Sequence, residues 1–214
     1  MIKKLIIPVI AICLTACASK KQNYTVDSAA AQTIDSIFKA NNAMKDTDMT
    51  RFNFYLENTF DAEQFDNNGL DLAYILKGNI SDSIKEYSSA MTKCYLSKDT
   101  IVLVGGLFYE SGFFVRLTIH NDQCNAQLLL TGSEKIYSLT SRHEDLQKEV
   151  MINSDSLSIT FTQEPVYKNG STLKGKMHIK FQPVYELGKE HTLLKIQPQF
   201  GVVFDAKVEQ LEEE

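Results

Sequence analysis

The sequence contains no tryptophan, only four prolines and only four cysteines among its 214 residues. With 43% hydrophobic and 23% charged residues, its composition is that of a globular protein, which excludes disordered, collagen-like and disulfide-knotted chains. An excess of positive charge is also absent, because 22 Lys and Arg stand against 27 Asp and Glu and give a net charge of −5. Nucleic-acid binding requires clustered basic side chains, so we expect no nucleic-acid partner. The length fits one domain or at most two small ones.

The sequence also lacks the spacing of common catalytic and metal-binding motifs. His143-Glu144 begins like the zinc-binding HExxH helix, but Gln147 stands where the second histidine must be. No GxSxG nucleophile motif occurs, and the four histidines are not paired at helical or strand spacing. We therefore expect no catalytic residue, no metal and no cofactor. An envelope hydrolase with an unrecognised site stays open as an alternative, with His120 and Arg116 on one strand face.

The N-terminus lacks an apolar run long enough to span a membrane. The run Leu5–Leu14 has ten residues, about half of what a transmembrane helix needs. It follows a short cationic start with Lys3 and Lys4, and small residues come after it. These three features together are typical of a secretory signal peptide, which we predict over residues 1–16.

Leu14, Thr15, Ala16 and Cys17 resemble the lipobox of bacterial lipoproteins, in which a leucine and two small residues precede an invariant cysteine. The resemblance implies cleavage before Cys17, lipidation of this cysteine with fatty acyl chains such as palmitate, and membrane anchoring through that lipid. It implies a bacterial cell-envelope location, with the outer membrane favoured because Ala18 rather than Asp follows the cysteine. Cleavage leaves 20 Lys and Arg against 27 Asp and Glu, a net charge of −7, so the lipid must supply the membrane affinity.

The mature chain is predicted to be a mainly β domain, at the margin of α+β, with one N-terminal helix. Residues 17–30 are polar and small and indicate a lipidated tether, residues 31–205 a single domain, and residues 206–214 an acidic, solvated tail. Ile34, Ile37, Phe38 and Met44 recur at helical spacing and predict an amphipathic helix within residues 27–44 that packs on a sheet.

Most of the remaining sequence has the period of two that is typical of strands. Strands with one buried face are predicted where apolar and polar residues alternate, over residues 52–56, 113–120 and 157–162. The continuous runs Ile101–Val104 and Leu128–Leu130 predict strands covered on both faces. Turns or bulges are predicted at Gly105-Gly106 and Asn169-Gly170, a second helix at 81–95 and a short third one at 142–150. The pattern predicts an antiparallel sheet or a β-sandwich.

Two cysteines remain in the mature chain beyond the lipobox, Cys94 and Cys124. In an oxidising compartment they allow one disulfide, which closes a loop of about 30 residues and stabilises the fold by roughly 3 to 4 kcal/mol. The alternative is two separate buried thiols that act as small hydrophobic side chains. The sequence leaves both alternatives open.

Lys174, Lys176, His178 and Lys180 alternate with apolar residues and form the most organised polar pattern of the chain. On a strand they project from one face about 7 Å apart, which predicts a basic ladder for an anionic headgroup, a glycan or an acidic patch of a partner protein. The alternative is that these lysines protect an exposed edge strand from aggregation.

The sequence therefore predicts a lipid-anchored cell-envelope protein of non-enzymatic type, which binds a partner or ligand or supports an envelope assembly. A carrier of lipids or other apolar ligands is an alternative, because a helix followed by strands is an order of elements that permits a half-barrel with the helix closed over a cavity. The envelope hydrolase named above is the other alternative.

Overall fold

The computed structural model describes residues 22–40, 50–55, 89–108 and 112–211. The predicted signal peptide and Cys17 lie outside the described residues, as does Met44. In chain order the elements are β1 (Thr25–Val26), α1 (Ala30–Ala40), β2 (Thr50–Tyr55), β3 (Ser89–Ser97), β4 (Thr100–Phe108), β5 (Gly112–His120), β6 (Gln123–Thr131), β7 (Tyr137–Ser138), β8 (Glu149–Phe161), β9 (Thr172–Phe181), β10 (Val184–Leu187), β11 (Leu193–Ile196), β12 (Gln199–Lys207) and β13 (Glu209–Gln210).

One large sheet contains most of these strands, in the order β13-β3-β4-β5-β6-β8-β9-β12-β2. Adjacent strands in this sheet are antiparallel, except that β13 pairs with β3 and β1 pairs with β8 in parallel, each over two residues. The sheet is nearly closed into a barrel, so the prediction of a mainly β fold with one short helix is confirmed. A smaller sheet, in the order β11-β10-β7, lies at the end of the barrel where β6 and β9 finish and where β8 and β12 begin.

Strand β8 belongs to both halves of the large sheet. Its first residues, Glu149 to Asn153, pair with β6, and its later residues pair with β9 from Ser154 onward. A shift of register between Ser154 and Ser156 marks a β-bulge, and a bulge bends a strand and increases its twist. The start of β6 and the end of β8 are therefore not paired with each other, and a gap lies between them.

The N-terminal segment occupies this gap. Asn23 donates a hydrogen bond to the carbonyl of Cys124 (2.8 Å) and accepts one from the amide of the same residue (2.7 Å). Thr25 and Val26 pair with the end of β8, and the amide of Asp27 donates to the carbonyl of Phe161 (2.8 Å). This segment thus supplies the hydrogen bonds that β6 and β8 do not give each other.

Tyr24 anchors the same segment in the core. Its ring is 6% exposed and stands edge-on to Phe161, with the ring centroids 5.1 Å apart. Its hydroxyl donates to Glu164 (2.9 Å), and burial together with this hydrogen bond raises the pKa of Tyr24. The predicted tether over residues 17–30 is therefore wrong from Asn23 onward, because a buried aromatic ring and a strand pairing hold these residues in the domain.

The C-terminal boundary also differs from the prediction. Val208 is 1% exposed, β13 pairs with β3, and the amide of Leu211 donates to the carbonyl of Leu96 (3.1 Å). The predicted solvated tail is wrong as far as Leu211, because the chain adds a short edge strand there. Residues 212–214 lie outside the described residues.

Helix α1 packs on the outer face of the barrel, as predicted for an amphipathic helix. Asp27 accepts a side-chain hydrogen bond from the amide of Ala29 just before its first turn. Its apolar stripe, Ala30, Ile34 and Phe38, contacts Val203 of β12. Val203 points outward because its neighbours Val202 and Phe204 point into the core. Within the described residues, no helix has the length and apolarity needed to cross a bilayer.

Large side chains of the described residues pack on the inner face of the barrel. Phe113, Phe161, Phe181 and Phe204 each have less than 2% of their surface exposed, and so do several large aliphatic residues of the same core. Side chains this inaccessible to water line no void large enough for an acyl chain. Together with the outer position of α1, this packing differs from the helix over an open cavity that an apolar-ligand carrier needs.

Three local predictions are wrong. The second helix is absent from residues 89–95, where β3 places Cys94 and Leu96 in the core, and residues 81–88 lie outside the described residues. The third helix is one 3-10 turn, His143–Asp145, before β8 begins at Glu149. Gly105-Gly106 lies inside β4, where a Cβ on Gly106 would collide with the carbonyl oxygen of Phe113. Only glycine permits this close approach.

Cys94 and Cys124 are free, buried thiols, so the disulfide that the sequence allows is not formed. They lie on β3 and β6, and β4 and β5 separate these two strands in the sheet. Burial, followed by the nearby carboxylates of Glu209 and Asp122 respectively, raises the pKa of each thiol to about 12.

We expect both thiols to resist Ellman's reagent at pH 8 in the folded chain and to react once denaturant unfolds it, because the buried thiols have about a thousandfold less thiolate. Since the unfolded thiols ionise first as the pH rises, the free energy of unfolding should fall between about pH 9 and pH 12. The measurement is the number of thiols that react with Ellman's reagent, in the folded and in the denatured state, on the chain from residue 18 onward prepared without reductant. No reactive thiol in denaturant would reveal a disulfide, and two reactive thiols in the folded chain would contradict the buried positions.

Candidate anion-binding face

Strand β9 places the predicted basic ladder on the outer face of the barrel. Its inward residues, Leu173, Gly175, Met177, Ile179 and Phe181, are all buried, and the residues between them are half-buried. The alternation predicted from the sequence is therefore present over the whole strand. Lys174, Lys176, His178 and Lys180 share the outer face.

The alternative explanation of these lysines, protection of an edge strand, does not apply to β9. This strand pairs with β8 on one side and with β12 on the other, over most of its length on both. Its backbone groups are therefore already used by the sheet. The positive charges on its outer face need another explanation.

Lys174 differs from the other members of the ladder because it is tied into the fold. Its ammonium donates to Asp35 Oδ1 of α1 (2.7 Å) and lies 3.9 Å from Asp205 Oδ2 of β12. Only 18% of its side chain is exposed. No local sequence pattern predicts this pairing, since Asp35 and Lys174 are 139 residues apart. Lys174 therefore fastens the helix to the sheet and is not available to a ligand.

Lys176, His178 and Lys180 have mainly neutral neighbours on the adjacent strands. On β8 and β12 the residues beside them are Thr160, Ser158, Ser156, Val203, Gly201 and Gln199. Gln199 Nε2 lies 3.3 Å from His178 Nε2. Among the described residues, neither Lys176 nor Lys180 forms an ion pair. Two unneutralised ammonium groups thus stand beside hydroxyl and amide groups that can donate hydrogen bonds.

The spacing of these side chains favours an extended anion. Residues two apart on one strand are about 7 Å apart, so the Cα atoms of Lys176 and Lys180 are separated by about 13 Å. A chain with repeated carboxylate, sulfate or phosphate groups can contact both lysines without either side chain having to bend toward the other. The face therefore suits an acidic polymer better than an isolated ion.

The residues of the alternative catalytic site do not form an enclosed site. Arg116 and His120 do share the exposed face of β5, as predicted. His120 Nδ1 lies 3.3 Å from Asp99 Oδ1 and 3.1 Å from Thr100 Oγ1, but the His120 and Asp99 side chains are 45% and 71% exposed. Water competes for every hydrogen bond in such a place, so the carboxylate and imidazole are not held in a desolvated catalytic geometry.

The other polar motifs also have structural positions. His143 lies in the 3-10 turn, with its Nε2 2.7 Å from the carbonyl oxygen of His191, and the backbone of Gln147 pairs with Tyr137. In the part of the chain that the structure describes, no three His, Cys, Asp or Glu side chains are grouped closely enough to hold a metal ion.

Replacing Lys176 and Lys180 together by glutamine should weaken binding to a polyanion. Despite its net negative charge, we expect the chain from residue 18 onward to be retained on dextran sulfate resin at low ionic strength. The double variant K176Q/K180Q should elute at a clearly lower salt concentration, because exposed charges act through a screened field. The measurement is the salt concentration at elution.

The matched control is K148Q/K195Q, which removes two exposed lysines outside the ladder and changes the net charge equally. It should elute with the parent chain. Equal shifts for both double variants, or no retention of the parent chain, would refute a localised anion-binding face.

Comparisons with known proteins add no functional assignment to this face. No family model, no curated protein and no solved structure matches the chain. The function has to be inferred from its own residues and contacts.

Proposed function

We propose that the chain is a lipid-anchored protein of the bacterial cell envelope, of non-enzymatic type, that binds an anionic partner beside the membrane. The observation that carries the anchoring is the lipobox Leu14, Thr15, Ala16 and Cys17, directly after a cationic start and a ten-residue apolar run. The outer membrane is the favoured location, because the residue after Cys17 is alanine.

The position of the fold along the chain supports the anchoring. Asn23, near the start of the described residues, already bonds to the barrel, so at most residues 18–22 separate the proposed lipidated cysteine from the domain. Because this linker is short, a lipid on Cys17 holds the domain close to the membrane surface. With a net charge of −7, the mature chain gains little attraction to anionic lipids, so the acyl chains must hold it there.

The partner-binding part of the proposal is supported by the contrast between the acidic chain and the basic outer face of β9. Lys176 and Lys180 stay without ion pairs among the described residues, although the chain has more acidic than basic side chains. A partner with repeated anionic groups, such as an acidic glycan of the envelope, complements this face. The filled core favours binding at the surface over transport of a lipid within the barrel.

The Cys17→Ala variant tests the anchoring in the native host. The parent chain should incorporate labelled palmitate and have the mass of a chain cleaved before Cys17 and acylated on it. C17A should incorporate no label and either accumulate as the uncleaved precursor or leave the membrane fraction, because the acylated sulfur is gone.

The matched control is Cys13→Ala, which removes the neighbouring cysteine that is cleaved off with the signal peptide. C13A should behave like the parent chain in labelling, mass and fractionation. Normal processing and unchanged membrane fractionation of C17A would refute the proposed anchoring.

A further inference from the structure

The length of chain between the lipidated cysteine and the fold limits which surface can approach the membrane. Six residue steps separate Cys17 from Asn23, and a fully extended chain of this length spans about 20 Å. Asn23 itself is fixed by its two hydrogen bonds to the backbone of Cys124. The distance from lipid to fold is thus less than half of the 45 Å or so that a tether through residue 30 would allow.

The attachment point lies at one particular end of the barrel. We call it the N-terminal end and define it by residues 22–27, the hairpin turns at 98–99 and 121–122, and the loop 162–171. The opposite end has the small sheet β11-β10-β7 and the segment 132–148. Strand β9 runs from one end to the other over ten residues, about 33 Å along the strand. The opposite end is therefore farther from Asn23 than the tether is long.

Exposed aliphatic side chains are concentrated at the N-terminal end. Among the described residues, five large hydrophobic side chains are exposed, and three of them, Val26, Val166 and Leu211, belong to or adjoin this end. Val26 pairs with the last residue of β8, Val166 lies in the loop 162–171, and Leu211 bonds to the backbone of Leu96 next to the hairpin turn. Single exposed aliphatic residues are ordinary, but these three share the end to which the lipid is attached.

Charge gives this end no attraction to an anionic lipid surface. It contains two basic side chains, Lys98 and Lys168, and four acidic ones, Asp27, Asp99, Asp122 and Glu164, so its net charge is −2. Electrostatic attraction is therefore not the force that orients the domain. The short tether supplies the proximity, and the exposed aliphatic side chains tolerate contact with the headgroup region.

We infer that the N-terminal end of the barrel is apposed to the lipid headgroups, with the small sheet β11-β10-β7 directed away from the membrane. This inference rests on the proposed lipidation of Cys17. It also places Lys180, near the far end of β9, farther from the lipid than Lys174. The free lysines of the ladder thus face a partner above the membrane surface and not the headgroups.

Because the chain has no tryptophan, single tryptophans report on each end separately. Val166→Trp marks the N-terminal end and Leu139→Trp marks the opposite end; the two parent side chains are similarly exposed, at 48% and 54%. Each lipidated variant is purified from membranes and reconstituted in phosphatidylcholine vesicles that contain dansyl-labelled headgroups. Energy transfer from tryptophan to dansyl should be several-fold greater for V166W than for L139W.

A second pair, Leu211→Trp and Met151→Trp, repeats the test if either first variant fails to fold. Lipidated preparations with equal transfer from both ends, or with more from the opposite end, would overturn the orientation and leave the anchoring intact. Mass spectrometry of the same preparations checks the lipid on Cys17. Its absence would refute the proposed function and remove the basis of the orientation with it.

Discussion

Asn23 and Tyr24 fill the place where two neighbouring strands of the barrel stop pairing with each other. The bulge in β8 lets this strand serve both halves of the sheet, but it leaves the start of β6 and the end of β8 without mutual hydrogen bonds. The side chain of Asn23 satisfies the backbone of Cys124, and Tyr24 covers Phe161. The barrel is completed by residues that begin six positions after Cys17, the predicted site of lipidation.

The docking of Asn23 and Tyr24 also determines which side chains lie on the outer face of the barrel. Helix α1 begins three residues after Asp27, whose amide is bound to Phe161, and the helix then crosses the outside of β12 with its apolar stripe on Val203. Asp35 of the helix neutralises Lys174. The helix thus covers one end of the basic ladder and leaves Lys176 and Lys180 beyond it. An acidic chain in this way keeps a small basic surface that is free of ion pairs among the described residues.

Local patterns in the sequence predicted those parts of the fold that depend on neighbouring residues. Apolar residues recur with the period of a strand in β5 and β9 and with the period of a helix in α1. The mainly β class and the outer helix could therefore be predicted. The docking of Asn23 depends on Cys124, 101 residues away, and polar residues give no local sign of it. The same reason hides the pairing of Lys174 with Asp35. Residues 81–95 have apolar residues at helical spacing, but burial of Cys94 and Leu96 decides in favour of a strand from residue 89 onward.

Hydrogen exchange at the amides of Asp27 and Cys124 tests this docking most directly. The first donates to the carbonyl oxygen of Phe161 (2.8 Å) and the second to Asn23 Oδ1 (2.7 Å), so both depend on the N-terminal segment. We expect both amides to exchange several orders of magnitude more slowly than an unstructured chain, together with the amides of the core strand β5. If both exchange at the rate of an unstructured chain while β5 stays protected, the N-terminal segment is a free tether and the central claim is wrong.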